Sequence, residues 1–279
     1  MRWSNLCRRG GLSLVLRREL TSTQHASSAQ QNRIPTPRSR LDWTDPRYGM
    51  YPSHIPTSTA QKLLMTASAA IGAMRDPERG DLVAMVGDTT GHFALERIRE
   101  RMQADPIGKK ILRERPILDT DTLDKDYLRN LPKDTFGFQY SHFMDSRGFL
   151  AEERPSVRYV DDEELAYILL RYRQIHDFVH TLTGLDTTVE AELAQKLFEY
   201  AQTGLPVGLM AAISAPRMLP LDRFAGAWLG GWVPWALRSG AEARCIMCVD
   251  YEGMWDRNLM EMRRELGYIP PPYGLAAGW

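Results

Sequence analysis

The stretch DEELAYILLRYRQIHDFVHTLTGLDTTVEAELAQKLFEYAQT, residues 162–203, decides the fold class. From Asp162 onward apolar residues recur at Leu165, Ile168, Leu169, Tyr172, Ile175, Val179 and Leu182, the 3/4 spacing of one face of an α-helix. Gly184 is the residue type that ends a helix in the left-handed region, and Thr187-Thr188-Val189-Glu190 is a capping box that starts the next. The product is a helical hairpin. At about 100° per residue, His176 falls at the centre of the apolar stripe, His180 at its edge and Asp177 on the flank. Histidines at i and i+4 share a face, as helical metal ligands must. His180 stands four residues before Gly184 and Glu192 five after Thr187, so at a rise of about 1.5 Å per residue both lie at a similar height above the turn. Glu192 can therefore complete the cluster, although Leu193, Leu197 and Tyr200 mark the apolar side of its helix and put it on the flank.

Two imidazoles and two carboxylates form a mixed nitrogen and oxygen set suited to Zn2+, Fe2+ or Mn2+. Without a cation the carboxylates would repel and partly protonate. A solvated His/acid surface patch is the alternative reading of the same four residues.

The pattern extends along the chain. Ser58-Thr59-Ala60-Gln61 is a capping box, followed by an apolar face at Leu63, Leu64, Ala67, Ala70, Ile71 and Met74, with Pro77 and Gly80 as stop signals. Further helices are predicted over about 91–104, 121–131, 162–183, 188–203, 220–238 and 250–266. Alternating strand patterns are nearly absent, no internal repeat is visible and no long linker divides the body, so the expectation is one all-α domain. Thr203–Pro216 and Phe224–Leu237, the latter with Trp228, Trp232 and Trp235, are uncharged runs of 14 residues, short of the roughly 20 that span a bilayer. They read either as core or as a surface that dips into a membrane interface or lines a lipid-tail groove.

The 279 residues carry 35 Lys+Arg and 35 Asp+Glu, a neutral total that gives no footprint for nucleic acid. Residues 1–40 hold eight Arg and one acid for a charge of +7, leaving −7 for the rest. An Arg- and Ser-rich, acid-poor start is the composition of a mitochondrial transit peptide, against a basic tail that stays attached. The expected organisation is a transit peptide over 1–40, an extended Pro- and aromatic-rich arm over 41–57, an all-helical metal- and lipid-binding domain over 58–267, and a tail over 268–279. Cys245 and Cys248 form a lone CxxC, which lacks the two further ligands of a structural zinc site.

His176-Asp177-Phe178-Val179-His180, eleven residues, then Glu192 resembles the His-Asp-x-x-His-x11-Glu motif of the coenzyme Q (ubiquinone) biosynthesis protein 4 family of mitochondria. The likeness covers about 51–267 and includes Tyr51-Pro52-Ser53-His54-Ile55-Pro56, Gly87-Asp88-Thr89-Thr90-Gly91, Arg115-Pro116, Asp161-Asp162-Glu163-Glu164-Leu165-Ala166 and Gln202-Thr203-Gly204-Leu205-Pro206. The resemblance implies an all-helical peripheral protein on the matrix face of the mitochondrial inner membrane, binding zinc or another divalent metal and belonging to a complex of ubiquinone-synthesis enzymes. The implied activity is carbon-1 decarboxylation of 4-hydroxy-3-methoxy-5-polyprenylbenzoate to 2-methoxy-6-polyprenylphenol. His176, Asp177, His180 and Glu192 are then expected as both metal ligands and catalytic residues, with His92 and His54 as candidate ring-protonating acids. A non-catalytic lipid-binding scaffold is the alternative, and homo-oligomer formation is left open. An HD-type phosphohydrolase fits worse, for want of its outlying His and Asp ligands.

Overall fold

A computed structural model describes residues 50–76, 79–118, 122–150 and 155–272. The predicted transit peptide, most of the predicted arm and the end of the tail lie outside the described residues. Among those described there is no strand, and the one isolated bridge joins Thr135 to Asn258. The architecture is a set of helices packed around one central rod.

That rod is the 162–183 segment. Asp162 caps it by accepting from the Leu165 N–H at 2.9 Å. It runs as α7 (Glu163–Gln174) and α8 (His176–Thr183), joined at Ile175, whose φ of −81° and ψ of −4° stay in the right-handed region. The Ile175 N–H donates to Arg171 and the Val179 N–H to Ile175, so the hydrogen-bond ladder carries across the joint. Every residue from Leu165 to Leu185 is buried. The apolar stripe is thus part of a helix enclosed on all sides, and the charged residues of its other face are inside as well. Arg171 pairs with Glu252, Nη2 to Oε2 at 2.8 Å, and Arg173 with Asp88 at 2.6 Å. Such burial requires full pairing.

Gly184 ends α8 at φ 74°, which a side chain would disfavour, and returns its N–H to the His180 carbonyl at 2.8 Å. The next helix, α9 (Val189–Thr203), is capped by Thr188, one residue later than the capping box predicted, because Asp186 ties down the Thr188 N–H and hydroxyl. Around the hairpin stand α1 (Thr59–Arg75), α2 (Gly80–Thr90), α3 (His92–Ala104), α4 (Pro106–Glu114), α5 (Lys125–Asn130), α6 (Phe136–Arg147) and α10 (Pro206–Met218). After them come the short α11 (Leu221–Arg223), a π-helical stretch Phe224–Trp232, α12 (Val233–Glu242) and α13 (Leu259–Glu265). α3 packs on α7, α6 and α13 on α8, and α10 and α12 on α9. Residues 50–57 lie along 157–161, where Tyr51 is buried and donates to the Val160 carbonyl.

Four helices, α2, α4, α6 and α10, fall outside the predicted ranges, and the predicted 121–131 and 250–266 helices shrink to α5 and α13. Of the two predicted stop signals, Pro77 lies outside the described residues and Gly80 is the first residue of α2. The two apolar surfaces exchange places relative to the interfacial reading. Trp228, Trp232 and Trp235 are 2%, 4% and 7% exposed and belong to the core. Leu63, Leu64, Ile71 and Met74 of α1 are exposed, and Ala69 is its only fully buried residue. Among the described residues no helix is long and apolar enough to cross a membrane.

Candidate metal centre

His176 opens α8 directly after the joint at Ile175, and His180 stands one turn further on. Their rings lie 4.8 Å apart and nearly perpendicular. The Glu192 carboxylate, from the first turn of α9, sits before both: Oε1 is 3.1 Å from His180 Nε2 and Oε2 is 3.5 Å from His176 Nε2. One donor atom from each of the three lies within 4.8 Å of the others. Asp177, the fourth expected ligand, is buried but not part of this group. Neighbours in a helix do not face the same way, and its charge acts on His180 from outside the cluster.

The other ring nitrogens decide the chemistry. His180 Nδ1 is 3.2 Å from the Leu185 carbonyl, which can only accept, so Nδ1 carries the proton and Nε2 presents a lone pair. His176 Nδ1 is 2.5 Å from Glu199 Oε1. Glu199 is fully enclosed and also accepts from the Tyr172 hydroxyl at 2.6 Å and the Lys196 ammonium at 3.2 Å. Lys196 Nζ and Gln195 Nε2 also lie 3.1 and 3.2 Å from His176 Nδ1. The shorter contact to a carboxylate places a proton on that nitrogen, so neither of those nitrogens donates to it. Both Nε2 atoms therefore face Glu192, and His180 Nε2 is buried with no hydrogen-bond partner. Two imidazole lone pairs and a carboxylate converging on one point, each imidazole held from behind, fit a divalent cation.

Without a cation, a proton on either Nε2 can take its place before Glu192. Burial alone would raise the Glu192 pKa, but His176 and His180 hold it well below the usual carboxylate range. Glu199 is likewise held low, against its burial, by Lys196 and His176. Burial lowers the His180 pKa, with Glu192 opposing. For His176, burial and Lys196 disfavour the charge, yet Glu199 and Glu192 outweigh them and the pKa is raised.

A cavity of about 350 Å³ opens beside the cluster, between the C-terminal end of α1 and helices α2, α9 and α10. Its walls are mostly apolar, with Met74, Val86, Leu193, Val207 and Met210 among them, and Glu192 and Lys196 are the two charged residues that line it. Of the two apolar runs, 203–216 contributes through Val207, Met210 and Ala211, whereas α1 contributes only Ala73 and Met74 and α2, a helix that was not predicted, adds Val83 and Val86. His54 pairs with Asp161 at 3.0 Å and His92 is exposed near Glu96; neither lines the cavity. Cys245 and Cys248 are free thiols that no third donor joins among the described residues. Lys196 and Glu199 are the functional residues missed from sequence. Their signal was present: with Glu192 they stand at i, i+4 and i+7 on α9, one charged line along a single face of the helix.

Residues 51–272 match the family "Coenzyme Q (ubiquinone) biosynthesis protein Coq4". The chain is 44% identical over 223 residues to the "Ubiquinone biosynthesis protein COQ4 homolog, mitochondrial" of Xenopus laevis, an alignment covering 80% of this chain and 78% of that one. The protein of the same name from Homo sapiens is 40% identical over 235 residues, covering 84% and 87%. Among solved structures, that of a candidate ubiquinone biosynthesis protein from Nostoc punctiforme superposes with a TM-score of 0.60 at 21% identity, over 75% of this chain and 98% of that chain.

Proposed function

The chain belongs to the Coq4 family of coenzyme Q (ubiquinone) biosynthesis proteins, and from that premise we propose that it is the metal-dependent lyase that removes carbon-1 carboxylate in ubiquinone synthesis. The substrate is 4-hydroxy-3-methoxy-5-polyprenylbenzoate and the product 2-methoxy-6-polyprenylphenol. The observation that carries this reading is that an apolar cavity, suited to a prenyl tail, ends on the carboxylate of the histidine cluster.

His176, His180 and Glu192 would hold the cation, Zn2+ or another divalent metal such as Fe2+ or Mn2+. When bound, it supplies Lewis-acid polarisation of a substrate oxygen. Glu199 fixes the tautomer and orientation of His176, and the Leu185 carbonyl does the same for His180. The apolar walls exclude water and align the ring by its tail. Loss of CO2 requires a proton at ring carbon 1; the bond to the carboxylate then breaks and its electron pair returns to the ring. No oxidant enters this balance.

On the same reading the protein, after removal of a transit peptide, sits peripherally on the matrix face of the mitochondrial inner membrane, in a complex of ubiquinone-synthesis enzymes. The exposed Leu63, Leu64, Ile71 and Met74 of α1 support the lipid contact, since Met74 also lines the cavity and a tail could pass from bilayer to site along that helix. The test is release of labelled CO2 from a carboxyl-labelled substrate by metal-loaded protein with its membrane partners. We expect release by the wild type and at least a hundredfold less from Glu192→Ala, with helicity retained by circular dichroism. No release by the wild type would replace the enzyme by a lipid-binding scaffold.

A further inference from the structure

We propose that Lys196 is the anion-holding, positioning residue of this site, binding the substrate carboxylate and making the cavity prefer the aromatic acid over the decarboxylated phenol; the assignment rests on the proposed decarboxylation. Lys196 is the only cationic residue among those lining the cavity. It stands four residues after Glu192 on α9, on the same helix face and about 6 Å further along the axis. Its ammonium is thus beside the cluster rather than at the far, apolar end.

The ammonium is anchored but not saturated. It has three donors. One goes to Glu199 Oε2 at 3.2 Å, and the nearby His176 Nδ1 is itself a donor to Glu199, so it takes none. The side chain is 24% exposed and its Nζ lies 5.7 Å from the Tyr172 ring centre, which restricts its motion. Two donors therefore remain on a charge held at the cavity wall. Thr187 and Ser214 are the uncharged polar residues of the lining, and neither can neutralise an anion.

Charge balance leads to the same ligand. Among the charges that line the cavity or touch Lys196, Lys196 offsets Glu199 and Glu192 offsets half of a divalent cation, leaving one positive charge beside a largely apolar cavity, with Asp177 buried outside the cluster. A monoanion meets that requirement, whereas a neutral phenol does not. Since the reaction removes the carboxylate, it also removes the group that Lys196 holds, and product is bound more weakly than substrate.

The experiment compares two ligands, a short-tailed 4-hydroxy-3-methoxy-5-prenylbenzoate and its decarboxylated phenol. Binding is measured by calorimetry to the zinc-loaded mature protein in detergent. The wild type should bind the acid more tightly than the phenol. Lys196→Met should weaken the acid by about 10- to 100-fold, the loss of one charge-assisted contact, and leave the phenol within about twofold and the zinc content unchanged. Lys196→Arg should restore most of the preference. If Lys196→Met cannot fold because Glu199 is left unpaired, the Lys196→Met/Glu199→Gln double variant removes both charges and is compared with Glu199→Gln alone, both held at saturating zinc. Acid binding unchanged in either variant, or acid and phenol weakened equally, overturns the role. A wild type that binds both ligands equally also overturns it but leaves the proposed reaction standing. A wild type that binds neither overturns both.

Discussion

Glu199 is 1% exposed and remains ionised because four donors converge on it: Tyr172, Lys196, the Gln195 amide and the Nδ1–H of His176. Its effect on a cation is indirect, through the orientation and basicity of His176. Glu199→Gln preserves shape and hydrogen bonding to Tyr172 but removes the charge behind the imidazole. Loss of such a supporting carboxylate should lower zinc affinity by about 10- to 100-fold, measured by competition with a chromophoric chelator. Undiminished affinity would mean that His176 is not held for a metal. The pH dependence stems from His176, whose pKa in the metal-free protein is raised above the ordinary imidazole value of about 6.5. Below the raised value the ring is protonated and a cation must displace that proton, so zinc affinity should climb as pH rises through and beyond 6.5, with proton release on binding. A titration from about pH 5.5 to 8 that shows flat affinity would count against ligation by this ring.

Helices were legible where polar and apolar residues alternate around the wheel and where a cap and a glycine bracket them. The hairpin of α7–α8 and α9 meets both conditions, and it placed His176, His180 and Glu192 together. It could not place Asp177, because the wheel gives a direction while ligation depends on where a short side chain ends. α10 is apolar on too many sides to show a period, and α6 carries aromatic residues around its circumference, so neither announced itself. Asp105 before Pro106 is a good helix start, and its side chain accepts from the Ile107 and Gly108 N–H groups; that signal was available and unused. The interfacial reading of the tryptophans failed because Trp is amphipathic and sequence does not say which side it meets. This reversal is testable. Trp228→Ser should destabilise by about 3–5 kcal/mol, the range for emptying a large core site, in urea unfolding. Leu63→Ser/Leu64→Ser should shift stability by no more than about 0.5 kcal/mol per site while reducing binding to vesicles of phosphatidylcholine with an anionic lipid. Unchanged vesicle binding in that double variant would move the lipid contact off α1.

The whole molecule fixes the cavity to the metal cluster through buried charge. Asp88, on α2, receives Arg173 from the central rod at 2.6 Å and the backbone N–H groups of Arg158 and Tyr159 at 2.7 and 3.2 Å. Arg173 also donates to the carbonyls of Ala84 and Pro155. One ion pair thereby ties together the helix that walls the cavity with Val83 and Val86, the segment against which residues 50–57 lie, and the rod that carries His176 three residues on. Both side chains are at least nine-tenths buried, so neither tolerates the loss of the other. Asp88→Ala leaves a guanidinium in the interior without its carboxylate and should cost about 3–5 kcal/mol. Removing both charges in Asp88→Ala/Arg173→Met should recover a large share of that cost, because an apolar pair replaces an unpaired ion. The two single variants and the double form a cycle that urea unfolding can close. At temperatures where Asp88→Ala is still folded, zinc content should be retained, since all three ligands lie on α8 and α9. Affinity for a long-tailed ligand should fall by more than affinity for its short-tailed analogue, since the displaced wall is the one the tail would touch. A stability loss under about 1 kcal/mol, or equal weakening of both ligands, would show that α2 is positioned by its apolar contacts and that the ion pair has no hold on the cavity.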